Sequence, residues 1–325
     1  VVGFVDVENL SGAADNEDTF VIGEGGHLSG LMHGGDRGFD SLVLDGGDYQ
    51  SVNYVATGPD SGWITRDEDQ LNYAGLEPIT DNMSVTDRVI RTSNFTDSAR
   101  LVDLGGQLRL ESTDAIPTFE NITFNEPSNS LTINLGDDNN IPLLPDADEL
   151  NIQALTLSAD LTINGENGQD IVTITGSMNL AGHNLRINAE EITVNPGVTV
   201  AAGDITFDAT AAEGTLVTPN NLPLVDVVAA ININSAQLTG DTVLFSADAS
   251  LVSAVTNLGP LPTAGVAANV SAEIAVTGNS TINATGDFTA ESVTAVNSTA
   301  TATAVAGLGV PEIGSAVNAI NNTAS

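Results

Sequence analysis

Residues 131–134 read Leu131-Thr132-Ile133-Asn134. The phrase returns as Leu161-Thr162-Ile163-Asn164, Leu185-Arg186-Ile187-Asn188, Ile192-Thr193-Val194-Asn195 and Ile231-Asn232-Ile233-Asn234. Val172-Thr173-Ile174, Ile205-Thr206-Phe207 and Val243-Leu244-Phe245 are versions without the asparagine. Successive side chains of an extended chain point to opposite faces, so each phrase is a short strand with two apolar residues turned in and one turned out. Asparagine tolerates left-handed dihedrals and suits the turn that follows. Short strands returning once per coil are the mark of a β-solenoid, and stacked coils would align the asparagines as ladders at a turn.

Working outward, phrases begin at 150, 161, 172, 185, 192 and 205, with steps of 11, 11, 13, 7 and 13 residues. Two stretches rich in Ala, Val, Leu and Pro interrupt them, 208–230 and 246–273. They are expected to be longer coils or loops covering the sides. The outward position is often threonine (Thr132, Thr162, Thr173, Thr193, Thr206), which predicts one outer column if the coils register. A flat threonine array is a surface that could bind ice, but threonine is also simply a good strand residue.

Three regions follow. Residues 1–118 carry longer strands, such as Ser41-Leu42-Val43-Leu44 and Gln107-Leu108-Arg109-Leu110-Glu111, and six of the seven arginines. Residues 119–290 hold the repeated phrase. Residues 291–325 are rich in Ala, Thr, Ser and Val and read as a terminal coil or an extended tail. The expectation is an all-β protein: a right-handed parallel β-helix preceded by an irregular β region.

Composition narrows the function. The 325 residues are 41% hydrophobic but only 4% aromatic, so the core must be aliphatic. Forty-three acidic residues face seven basic ones, all arginine, for a formal net charge of -36. That surface repels nucleic acid and anionic membranes and attracts divalent cations. There is no cysteine, which excludes disulfides and thiolate metal sites. No apolar run approaches the ~20 residues that cross a bilayer as a helix. Residue 1 is Val, and the sequence reads as an excerpt from a longer chain.

A second motif pairs glycine with a following aspartate and a strand. Gly12 leads to Asp18-Thr19-Phe20-Val21-Ile22. Gly34-Gly35-Asp36-Arg37-Gly38-Phe39-Asp40 leads to Ser41-Leu42-Val43-Leu44. Gly165-Glu166-Asn167-Gly168-Gln169-Asp170 leads to Ile171-Val172-Thr173-Ile174. These resemble the RTX nonapeptide, a glycine-rich turn that holds calcium through an aspartate and backbone carbonyls. The resemblance implies calcium at Asp18, Asp40 and Asp170. Asp137 and Asp138, in the turn 135–140, are a further calcium candidate by their acidity alone. The wider chain resembles modules of giant bacterial surface proteins, in which Val7-Glu8-Asn9-Leu10-Ser11-Gly12 would introduce an RTX-like segment and haemagglutinin-type β-helix coils follow. It implies an extracellular or cell-surface location and an adhesin-like or matrix role.

Other chemistry is sparse in the sequence. His27, His33 and His183 lack metal-ligand spacing. Arg186 is the one basic residue after 110, which argues against a polysaccharide lyase needing a cationic base. Two spaced carboxylates could serve a glycosidase. The expected function is therefore structural, not enzymatic: a segment of a large secreted bacterial surface, matrix or filament protein that self-associates head-to-tail or laterally. The competing readings are an adhesin binding glycan or a neighbouring cell, and a carbohydrate-active enzyme built on a β-helix.

Overall fold

The computed structural model describes residues 7–136, 147–213, 224–259, 263–304 and 315–324. The described residues hold strands and no helix, so no helix there is long and apolar enough to cross a membrane.

The first twelve strands are β1 (Leu10–Ser11), β2 (Thr19–Gly23), β3 (Leu31–His33), β4 (Ser41–Asp45), β5 (Asp48–Gly58), β6 (Ser61–Arg66), β7 (Asp69–Ala74), β8 (Ile79–Asp81), β9 (Ser84–Arg91), β10 (Ser98–Asp103), β11 (Gln107–Ser112) and β12 (Ile122–Asn125). The next nine are β13 (Ser130–Asn134), β14 (Glu149–Ile152), β15 (Leu155–Thr156), β16 (Asp160–Asn164), β17 (Ile171–Ile174), β18 (Met178–Asn179), β19 (Leu185–Asn188), β20 (Glu191–Val194) and β21 (Thr199–Ala201). The last eight are β22 (Ile205–Glu213), β23 (Leu224–Asn234), β24 (Gln237–Gly240), β25 (Val243–Gly259), β26 (Thr263–Thr277), β27 (Thr281–Ala284), β28 (Phe288–Ala304) and β29 (Ser315–Ala324).

They form three sheets. Sheet I runs β1-β3-β7-β6-β5-β9-β13-β16-β19-β22-β25-β28, and sheet II runs β2-β4-β8-β12-β11-β10-β14-β17-β20-β23-β26-β29. Sheet III is smaller, β15-β18-β21-β24-β27. From β13 onward the chain visits sheets I, II and III in strict rotation, and from β16 each strand pairs in parallel with its counterpart one circuit earlier.

The register aligns like residues. Leu131, Leu161, Leu185, Ile205 and Val243 make one column of sheet I, and Ile133, Ile163, Ile187, Phe207 and Phe245 make the next. Sheet II stacks Leu150, Val172, Ile192 and Ile231, then Ile152, Ile174, Val194 and Ile233. Sheet III adds Leu155, Met178, Val200 and Leu238. All of these are buried. Each is worth about 1.5–3 kcal/mol against exposure, which is how strands of two to five residues hold their place. The step lengths are now explained: the phrase occurs twice per circuit, alternating between sheets I and II, and not once.

Both long sheets continue past residue 118, through the pairs β9–β13 and β10–β14. The irregularity of the first region comes from one reversed strand in each sheet, β6 between β5 and β7 and β11 between β10 and β12. The boundary at 291 falls inside β28. The described parts of 208–230 and 246–273 are long strands, the longer coils of the two alternatives. There β22 pairs with β25 from Ile205↔Val243 to Glu213↔Leu251, and β23 with β26 from Leu224↔Ala267 to Asn234↔Thr277. Their buried positions are mostly alanine (Ala209, Ala211, Ala229, Ala247, Ala249, Ala272). Small inward side chains leave a thin layer between the two long sheets, and alanine does not announce a strand face.

Candidate functional site

The chain turns from sheet I to sheet II at one corner, and there the glycine–aspartate motifs meet. Asp18, Asp40, Asp97, Asp148, Asp170 and Glu190 each stand immediately before a sheet II strand. They are linked in a ladder. The Asp18 amide donates to Asp40 Oδ1 at 2.6 Å. Further along, the Asp97 amide donates to Asp148 Oδ1 at 2.6 Å, the Asp148 amide to Asp170 Oδ1 at 2.9 Å, and the Asp170 amide to Glu190 Oε2 at 2.8 Å. The carboxyl groups of Asp40, Asp148, Asp170 and Glu190 thus each satisfy a backbone donor of the neighbouring circuit, where the corner interrupts the sheet ladder.

The glycine of each motif makes room for its aspartate. A Cβ on Gly34 or Gly165 would lie 2.7 Å from Oδ2 of Asp40 or Asp170 respectively. Glu166 stands where the second motif has Gly35, and it keeps the left-handed conformation that position demands, with φ of 76° against 128°. The motif therefore survives as backbone geometry where the glycine does not.

Of the five residues singled out for calcium, Asp18, Asp40 and Asp170 share this corner, and Asp137 and Asp138 lie outside the described residues. Asp18 Oδ2 also accepts the Ala13 amide at 2.9 Å. Among the described residues no three acidic or histidine side chains are grouped to hold a metal ion. One oxygen each of Asp18, Asp40 and Asp170 is turned to a backbone amide. His27 pairs with Asp69, His33 Nδ1 accepts the Gly35 amide at 3.0 Å, and His183 lies 3.5 Å from Asp160.

Burial is severe for several acids. Asp97 and Asp148 are inaccessible or nearly so. Burial pushes the Asp97 carboxyl up, opposed by hydroxyls of Thr118, Thr92 and Ser93, and pushes Glu190 up in the same way. Glu120 is the extreme, raised to about 8 by burial, although the Tyr73 hydroxyl that donates to it pulls the other way.

Beside the ladder, the asparagines stack as expected. Asn164 Nδ2 donates to Asn134 Oδ1 at 2.8 Å, and Asn188 Nδ2 to Asn164 Oδ1 at 2.7 Å. Here a groove of about 380 Å³ is lined by Asn164, Glu166, Arg186, Asn188, Glu190 and Asp208. A second, of about 660 Å³, lies at the same corner nearer the N-terminal strands, with His33, Asp36, Arg37 and Asp60 on its walls. The threonines do not make one column. Thr132, Thr162 and Thr206 lie on sheet I, broken by Arg186, while Thr173 and Thr193 lie on sheet II between Asn151 and Asn232.

Sequence reading missed the buried polar contacts that cross the interior. Arg88 and Asp81 are both fully buried and ion-paired, and Tyr54 donates to the same Asp81. The Arg88 guanidinium also lies 5.0 Å from the Phe124 ring centroid. Local sequence carries no signal for them, because the alternation of β9 slips before Arg88. In β9, Arg88 occupies the column of Leu131 while Val89 pairs with outward Thr132.

No family model, no curated protein and no solved structure matches this chain.

Proposed function

We propose that the chain is a stretch of right-handed parallel β-helix serving as a structural segment of a large secreted bacterial surface, matrix or filament protein. The observation that carries this reading is the strict rotation of the chain through three parallel sheets, with the same side-chain type stacked circuit after circuit. Such a stack grows by adding circuits, so length costs no new design and the product is a stiff spacer. The formal charge of -36 supports an environment rich in salt or divalent cations, where self-repulsion is screened.

Self-association extends the same logic. β28 and β29 pair on one described side only, and Phe288 at the start of β28 is 50% exposed. A strand edge of this kind accepts another strand, from a further circuit or from a second copy. Calcium enters the proposal as a lateral bridge between acidic faces. Electron microscopy and sedimentation of the purified chain, with calcium and with chelator, test the reading. Fibres, or rods that lengthen with concentration, are expected. Monomers at high concentration in both conditions would sink self-association.

A groove of about 240 Å³ on the outer side of sheet II supports the adhesin alternative. Its walls include Arg100, Thr113, Glu149, Asn151 and Gln153, hydrogen-bonding groups of the kind that bind sugars. Saturable binding on a glycan array, lost on Asn151→Ala, would favour it over the structural reading.

A further inference from the structure

We propose that Glu120 is held as a neutral carboxylic acid and that its proton locks the joint between the N-terminal circuits and the reversed-strand insertion. Glu120 lies just before β12, the strand by which the insertion β10–β12 docks in parallel on β8. The neighbouring Asn121 carbonyl accepts the Ile79 amide at 2.9 Å, so the residue sits at the seam itself. Its side chain reaches across the interior to sheet I, where Tyr73 on β7 donates to Oε1. One carboxyl group therefore ties both sheets and both sides of the seam.

The surroundings oppose a negative charge there. Glu120 is 1% exposed, and its Oε2 is buried with no hydrogen-bond partner. Asp60 from the β5–β6 turn and Glu77 from the β7–β8 turn face it, and both are acidic. The Glu77 carboxyl is itself pushed up by burial and by Asp60. The Tyr73 hydroxyl is pushed up by burial and by Glu120, with Tyr54 a lesser cause. The two buried arginines are engaged elsewhere, Arg88 by Asp81 and Tyr54 and Arg66 by Asp69 and the Gly26 carbonyl. A buried carboxylate without a cation is strongly disfavoured, and taking up a proton is the usual remedy. The carboxyl titrates at about 8, against an ordinary glutamate value of about 4.3.

The sign follows. Between those two values the folded chain holds a proton that the unfolded chain has released. The contribution is thus whole in acid, declines as pH rises towards about 8, and is constant above it. The joint is tight in acid and loosened in alkali.

Infrared spectroscopy of the full chain with carboxyl-labelled glutamate tests this directly. The expected result is a protonated-carboxyl band at pH 7 that titrates with a midpoint near 8 and is missing in Glu120→Gln. The difference in unfolding midpoint between Glu120→Gln and the parent should grow in favour of the variant from pH 5 to pH 8 and then level off. If Glu120→Gln fails to fold, Tyr73→Phe replaces it: removing a donor that favours the charged form should move the band's midpoint upward. Absence of the band at pH 7 overturns the proposal, as do parallel pH profiles of variant and parent, or an unmoved midpoint in Tyr73→Phe.

Discussion

The interior before residue 136 and the interior from 147 onward solve the same packing problem differently. The later one is a set of aliphatic columns, capped in sheet I by Phe207 stacked on Phe245 with centroids 5.4 Å apart. The earlier one interleaves its aliphatic side chains with Tyr54, Tyr73, Arg88, Asp81 and Glu120, all buried and joined by hydrogen bonds across the sheets. The difference tracks the reversed strands. Where every strand is parallel and in register, one side chain stacks on its own kind, and repetition alone fills the space. Where β6 and β11 interrupt the register, repetition fails, and long side chains with polar tips span what is left. Such tips must find partners there, because an unpaired polar group in that setting is expensive.

The largest effect is expected from breaking the polar interior. Arg88→Met leaves Asp81 buried without its cation and should cost about 3–5 kcal/mol in denaturant unfolding. Combining Arg88→Met with Asp81→Leu removes both charges and should recover much of that loss. If the double variant is no better than the single, the two interiors do not differ in the way described.

A column residue should cost somewhat less. Ile187→Ala opens a cavity between Ile163 and Phe207, with a loss of about 2–5 kcal/mol. The same substitution at Ile163, one circuit away, should cost nearly the same, because the columns repeat. A large disparity between the two would show that the later stack is less uniform than its register implies.

Smaller again is the asparagine ladder. Asn164 both donates to Asn134 and accepts from Asn188, so Asn164→Ala breaks two side-chain hydrogen bonds. They lie partly in reach of water, and a loss of about 1 kcal/mol is expected. Chemical denaturation of the variant checks it. A null result would reduce the ladder to a consequence of register.

The legible part of the fold was the part that repeats. Leu161-Thr162-Ile163-Asn164 carries its own parity and its own turn residue, so strand, inward face and ladder could be read from four positions. Sheet III was not legible, because β15 and β18 are two residues long and Leu155 or Met178 alone makes no pattern. The rotation between sheets was hidden because sheets I and II use the same phrase. The buried charges were hidden because local sequence cannot say which parity faces in when Arg88 and Val89 are adjacent. The corner was half legible: glycine and aspartate were found at the right places, but their purpose could be read only once Asp18 and Asp40, or Asp148 and Asp170, stood on neighbouring circuits.

That corner supplies the smallest prediction, at Glu166. The residue holds φ of 76° in a position its counterpart Gly35 fills without strain. A left-handed conformation costs an ordinary side chain about 1–2 kcal/mol, and asparagine much less. Glu166 also gives up an ion pair with Arg91 at 3.4 Å, half-exposed and so worth at most about 1 kcal/mol. Glu166→Asn should therefore leave stability unchanged or raise it by about 0.5 kcal/mol, as relief of strain outweighs the lost pair. Glu166→Ala loses the same pair but keeps the strain, and should fall below the parent by a few tenths of a kcal/mol. The gap between the two variants in denaturant unfolding isolates the backbone term. A gap of zero would mean that the corner tolerates Glu166 without strain, and that the aspartate ladder, rather than the glycine geometry, dictates the turn.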